Sequence, residues 1–337
     1  MKKILFFLLF TTLVMAPLFS LQGEIVFIDG IVDLKPASGG LEYADIGMPV
    51  ETGDSIITGY DGYAELELED GSLVRVNEES IFKISSVQTD RGSQNSFQLV
   101  LGSAGYKFTK TMKEEEPSIS TPSTVCGLRG TEFTVMAGID GSALYVVDEG
   151  SVFVSSKGEE VQLGAEEGVR VKAGQAPGEV FEVLRGKVDY SAFKAESEET
   201  FLSNPATTVF LLVDQLVEYA NEADKFEALF QAQKVALDDL RVKMKAMGDD
   251  DRKSFYNETV FPEEIKVTGL KHNVRYYAVS SMSLRRYVIG TMFVEMKTRY
   301  ILKQDDPDYL DFMNAYLQFV DIYETRIVPY LVEADIE

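Results

Sequence analysis

A side-chain nucleophile needs a base within hydrogen-bond reach, and this chain offers one cysteine, Cys126, and one histidine, His272, in different halves of its 337 residues. Cys126 follows Val125 and precedes Gly127 and Leu128, a setting that reads as a small buried side chain rather than a reactive thiol. With so few nitrogen and sulfur donors, no zinc-type metal site and no cofactor is expected. Carboxylates are the abundant alternative. Asp54 and Glu132 could act as the acid and base of an envelope glycan hydrolase, yet among 55 acidic residues chance pairs are expected, and the sequence does not bring these two together. Glu114, Glu115 and Glu116, ahead of Pro117, could attract a cation, but neighbouring carboxylates in a loop repel, so the run reads as a solvated connection. No catalytic constellation emerges, and the chain is expected not to be an enzyme. Arg129 and Glu132, of opposite charge between Gly127 and the Thr134-Val135 strand start, suit a fork-to-carboxylate contact that locks a bend. Gly127 and Gly130 suit a bulge there, and Thr121 and Thr131 could satisfy backbone groups freed by it.

The elements that must position these residues divide into two kinds. From Glu24 to about Tyr190, apolar and polar residues alternate between tight-turn pairs. Ala64, Leu66 and Leu68 fall on one face and Glu65, Glu67 and Glu69 on the other, and Asp70-Gly71 turns the chain into Ser72–Val76, which predicts a hairpin. Asp61-Gly62 and Asp140-Gly141 repeat the pattern, and Glu149-Gly150 reads as a turn separating Ala143–Val147 from Ser151–Val154. Residues 24–190 are therefore expected to form an all-β domain, a roll, solenoid or sandwich. Residues 191–204, including Lys194–Thr200, read as a linker. Asn204-Pro205 is an N-cap with proline at the first position of a first helix, and 205–337 is expected to be an α-helical bundle. Within it Phe226, Phe230, Gln233, Leu237, Leu240, Met244 and Met247 form the stripe of a further helix, ended at Gly248. A third helix is expected after Pro262, with Gly269 and Gly290 as weak points. The stripe Tyr309–Tyr323 marks a last helix that Pro329 would kink or end. The Phe226–Met247 stripe is assigned to intramolecular packing; the competing arrangement pairs it between chains as a homo-oligomer.

Lys2 and Lys3 precede an uncharged apolar run from Ile4 to Met15, the order of a secretory signal peptide over residues 1–20, with an uncleaved anchor as the alternative. The mature chain is expected to be soluble, periplasmic or secreted, and without a disulfide, since Cys126 stands alone. Removing Lys2 and Lys3 leaves 30 basic against 55 acidic residues, a net charge of −25 that repels nucleic acid and anionic lipid.

Pro117–Val135, Pro-Ser-Ile-Ser-Thr-Pro-Ser-Thr-Val-Cys-Gly-Leu-Arg-Gly-Thr-Glu-Phe-Thr-Val, resembles the core signature of FecR-type periplasmic domains. Gly53-Asp54-Ser55-Ile56-Ile57-Thr58 and Ala64–Ser72, with Asp70-Gly71, precede it in that family's order, so the resemblance spans about Glu24 to Lys172. It implies an extracytoplasmic β module for sensing or protein contact, without catalysis. On this basis Arg129, Gly130, Thr131 and Glu132 are the candidate ligand or partner residues. Gly53, Asp54, Asp70, Gly71, Thr121, Pro122 and Gly127 are the structural motif, and the expected partner is another envelope protein or an envelope polymer. Similar domains occur in transmembrane regulators that hold a sigma factor; only Met1–Lys3 precede the apolar run here, so that role is not expected to carry over.

Overall fold

The computed structural model describes residues 21–89, 92–109, 117–183 and 190–333. The signal segment and the Glu114–Glu116 run lie outside the described residues. The first part of the chain is built from fifteen strands: β1 (Leu21–Asp29), β2 (Val32–Lys35), β3 (Glu42–Tyr43), β4 (Pro49–Glu51), β5 (Ser55–Thr58), β6 (Tyr63–Leu68), β7 (Leu73–Val76) and β8 (Ile81–Thr89), then β9 (Gly92–Lys107), β10 (Ser118–Ser120), β11 (Val125–Ala137), β12 (Ala143–Ser156), β13 (Glu159–Leu163), β14 (Glu167–Val171) and β15 (Phe181–Glu182). They form one connected sheet system, and β9 is its spine. Its first half pairs with β8, its last six residues pair with β11 and the final four of these also with β7 on the other side, and β10 joins it in parallel. Gly102, at φ +89°, lets the strand change partners; a Cβ there would lie 2.2 Å from Ser80 Oγ, which accepts the Ser103 amide.

The alternation at β6 and β7 forms the expected hairpin, with Leu66 opposite Val74 and Ala64, Leu66 and Leu68 all buried. Glu149-Gly150 departs from expectation. It is no turn but a bulge inside a continuous β12, where Gly150 adopts φ +86° and the register to β11 shifts between Arg129 and Phe133. One strand thereby serves two neighbours, β14 with its first half and β13 with its second.

Residues 191–204, read as a linker, are helical almost throughout. Tyr190–Ser203 is a helix, α1, because Phe193, Ser197 and Phe201 recur every four residues on one face and are buried. After the Asn204 cap, whose Oδ1 accepts the Thr207 amide, α2 (Pro205–Lys245) runs unbroken for 41 residues, about 60 Å. The expected first and second helices are one, since no glycine or proline intervenes before Gly248. The next rod starts at α3 (Asp249–Phe255), ahead of Pro262, and continues through a π-helical turn (Tyr256–Val260) into α4 (Phe261–Tyr287), a second π turn at Val288–Phe293, and α5 (Val294–Arg299). The last rod is α6 (Pro307–Ile322), a third π turn (Tyr323–Ile327) and α7 (Val328–Glu333). Two of the three π turns end immediately before a proline-bearing turn, at Pro262 and Pro329. A wider turn removes the clash that proline makes with the carbonyl four residues back, so neither proline ends its rod. Gly290 lies in the remaining π turn, as its reading as a weak point anticipates; Gly269 lies within α4.

Candidate functional site

The residues of the three motif elements do not form one cluster. Gly53, at φ +102°, turns the chain between β4 and β5, where a Cβ would meet that of Ala37 at 2.7 Å. Asp54 is buried, and its two carboxylate oxygens accept the Ala37 amide at 2.8 Å and the Glu51 amide at 2.9 Å, an arrangement that fastens two loops. Asp70-Gly71-Ser72 and Thr131-Glu132 do converge, at the end of β9. Asp70 accepts the Ser72 amide and hydroxyl, Ser72 Oγ accepts the Thr109 amide, and Thr109 Oγ1 donates to the Asp70 carbonyl. Lys107 sits in register between Leu73 and Glu132, and the Glu132 carboxylate reaches Lys107 Nζ at 3.4 Å and Arg75 at 3.6 Å. The backbone of Leu128, Arg129 and Gly130 belongs to β11; their side chains lie outside the described residues, so the Arg129 contact is not placed. The Thr131 carbonyl accepts the Phe108 amide, while its buried hydroxyl has no hydrogen-bond partner among the described residues. Gly127 has open space where a Cβ would stand.

Thr121 and Pro122 lie elsewhere, in a rigid turn over the buried end of β12. Thr121 Oγ1 and Thr124 Oγ1 are 2.6 Å apart, Thr124 Oγ1 and Tyr145 Oη 2.5 Å, and Ser156 Oγ donates to the Ser123 carbonyl. Cys126 follows this turn with no exposed surface, and burial pushes its thiol pKa well up, so the nucleophilic thiolate is disfavoured. The turn is the floor of a cleft of about 490 Å³ whose opposite wall is helical. Tyr219 on α2 and Tyr276 and Tyr277 on α4 bring their rings together, with centroids 6.0 Å apart for Tyr219 and Tyr277 and 5.1 Å apart for Tyr276 and Tyr277. Lys157, also in the lining, bridges to Glu218 on α2 at 2.7 Å. Lys157 and Gly158 both adopt positive φ in the two-residue β12–β13 turn, a conformation unfavourable for the lysine. Sequence reasoning missed this wall, because its rings meet across two modules and obey no local period. The Tyr276-Tyr277 pair was the only signal.

A second junction joins helices to strands at Asp140-Gly141-Ser142, between β11 and β12. Asp140 Oδ1 accepts from the Ser142 amide and hydroxyl, as Asp70 does for Ser72, and also from Ser197 Oγ of α1 at 2.8 Å. Tyr287 of α4 is fully buried against the same turn; its hydroxyl donates to the Gly138 carbonyl at 2.7 Å and accepts the Gly141 amide at 3.0 Å. Burial first, then the Asp140 carboxylate, pushes the Tyr287 pKa up and keeps the hydroxyl protonated. Val100 of β9 is buried in the helical core, with Ile81, Leu101 and Ile139 packed against it.

The β module also carries exposed apolar residues on two loops. Tyr43 and Tyr60 are 82% and 75% exposed, and Leu41 and Ile46 lie beside Tyr43 in sequence, also exposed. Both loops are tied to one stretch, since Tyr43 pairs with Asp33 and the Gly59 amide donates to the Ile31 carbonyl. Among the described residues no cluster of metal-binding side chains occurs, and no helix is long and apolar enough to cross a membrane.

Residues 54–153 match the family model described as FecR protein, a shorter span than the resemblance outlined. Two crystal structures of a candidate anti-sigma factor from Parabacteroides distasonis, at 1.65 and 2.50 Å, are each 18% identical to the chain, with a TM-score of 0.33. Each match covers 38% of this chain and 58% of the other, so the chain spans little more than half of that structure. A cell surface anchoring domain, 28% identical, covers 18% of this chain and 79% of its own, with a TM-score of 0.17. No curated protein matches the chain.

Proposed function

From a chain whose residues 54–153 match the FecR family, we propose an exported, non-catalytic contact module of the cell envelope: the β module docks on another envelope protein and the helical module supports the assembly. The exposed Leu41, Tyr43, Ile46 and Tyr60 carry this reading. Large apolar side chains on paired loops of a strongly acidic chain lose most by staying in water, and a partner surface is where they would be covered. The signal-like segment Lys2–Ser20 supports export. Family membership of this kind is generally non-enzymatic, and the commitment of both Asp54 oxygens to backbone amides fits a structural carboxylate better than a hydrolytic one. Pull-down from envelope extract with the mature chain should recover a specific protein that a Tyr43→Glu, Tyr60→Glu double variant fails to recover. Recovery of no specific protein, or equal recovery by the double variant, would overturn the proposal.

A further inference from the structure

We propose that the cleft between the Thr121–Thr124 turn and the tyrosines of α2 and α4 is a binding site for a neutral oligosaccharide. This deepens the envelope-contact reading, on which it rests only for where such a glycan would be met. The chemistry of the lining selects the class. Lys157 is the single cation among the described lining residues and is already paired with Glu218, so an anionic ligand finds no free counter-charge. The two carboxylates, Glu218 and Glu222, are each bridged by a lysine, the second by Lys225 at 2.8 Å, so a cationic ligand would have to displace a lysine. Val125 is the only aliphatic side chain among the described lining residues, too little to hold an acyl chain.

What remains is suited to a sugar. Three tyrosine rings, one of them also stacked on Phe226, present aromatic surface to the C–H side of a pyranose, while Gln215, the Asn221 amide N–H and the Ser155 hydroxyl offer donors and acceptors for its hydroxyl edge. Paired carboxylates keep unused lone pairs and accept hydroxyl donors without requiring a charged ligand. The volume falls within the ~300–1,000 Å³ of small-molecule sites.

Isothermal titration calorimetry of the full mature chain with chitotetraose, cellotetraose and maltotetraose tests the proposal. At least one should bind saturably. Tyr277→Ala should weaken that binding by about tenfold or more, whereas Tyr277→Phe, which keeps the ring face, should stay within about threefold. Circular dichroism of both variants checks that the fold is kept, and Gln215→Ala, on α2 one turn before Tyr219, gives a second route to the same loss. Absence of saturable binding by all three sugars at millimolar concentration would overturn the proposal. So would undiminished binding in both Tyr277→Ala and Gln215→Ala, or tighter binding of an oligolysine peptide that these substitutions abolish. Partner capture through Tyr43 and Tyr60 is unaffected by cleft variants, so failure of either reading is visible separately.

Discussion

At the scale of the residue, Tyr287 shows how much one hydroxyl can hold. It satisfies a donor and an acceptor of a turn that belongs to the other module, and both backbone groups are buried. Tyr287→Phe keeps the ring and leaves both unmatched, so it should lower stability by about 1–3 kcal/mol, read from the midpoint of denaturant unfolding. Tyr63 makes a different prediction. Burial, then the hydrogen bond to Glu65 and its charge, push the Tyr63 pKa up to about 12, against about 10 for an unfolded tyrosine. The folded state thus favours the neutral phenol. Its contribution to stability is complete below pH ~10 and is lost as pH rises through about 12. The difference between wild type and Tyr63→Phe in tyrosinate absorbance should therefore appear near pH 12 and not near 10.

At the scale of the element, the Asn204 cap is the joint from which both α1 and α2 leave. Its Oδ1 accepts the Thr207 amide at 3.1 Å, and Asn204→Ala should cost about 1 kcal/mol, measurable by the same denaturation. This cap was legible in the sequence because Asn-Pro is a local signal with a local cause. The β6–β7 hairpin was legible for the same reason: period two in Ala64, Leu66 and Leu68 can be satisfied only by a strand with one buried face. The misread elements share a different physics. Glu149-Gly150 has the composition of a turn, but whether a glycine at positive φ turns the chain or bulges it depends on the register of β11, which lies outside any local window. Tyr190–Ser203 looks like a linker because lysine and glutamates fill its letters; its buried face has a serine, Ser197, at the centre, and only the Asp140 partner explains that polar residue. The prolines at 262 and 329 were given their usual meaning as breaks, and a single π turn before each was enough to suspend it. The cleft was the least legible, for its two walls come from strands and helices that no periodicity relates.

At the scale of the whole molecule, the two modules are one folding unit more than two beads. The helical core takes in Val100 and packs on Ile81, Leu101 and Ile139, and α1 is fastened from the strand side by Arg170, whose guanidinium reaches Glu196 at 2.6 Å and stands over the Phe193 ring at 5.0 Å. Unfolding followed by far-ultraviolet circular dichroism and by tyrosine emission should give coincident single transitions; two separated transitions would count against a shared core. The far end of α2 is different. Beyond Asp224, which Arg326 and Tyr330 hold, its stripe is only half covered: Leu237 is buried, while Phe226, Phe230, Leu240 and Met244 are partly exposed. The chain also writes the same tripeptide, Asp-Gly-Ser, at two hairpin tips and anchors the two copies differently. At Asp70-Gly71-Ser72 the tip's hydrogen bonds, to Ser72 and Thr109, stay within the β module, so extra residues inserted after Asp70 should loosen that hairpin yet leave a folded, expressed protein. At Asp140-Gly141-Ser142 the tip is clasped by α1 and α4 at once, and the same insertion should abolish folding. An insertion scan scored by soluble yield would register one tip as a place where lineages are free to lengthen and the other as a place where the reading frame of the fold is fixed.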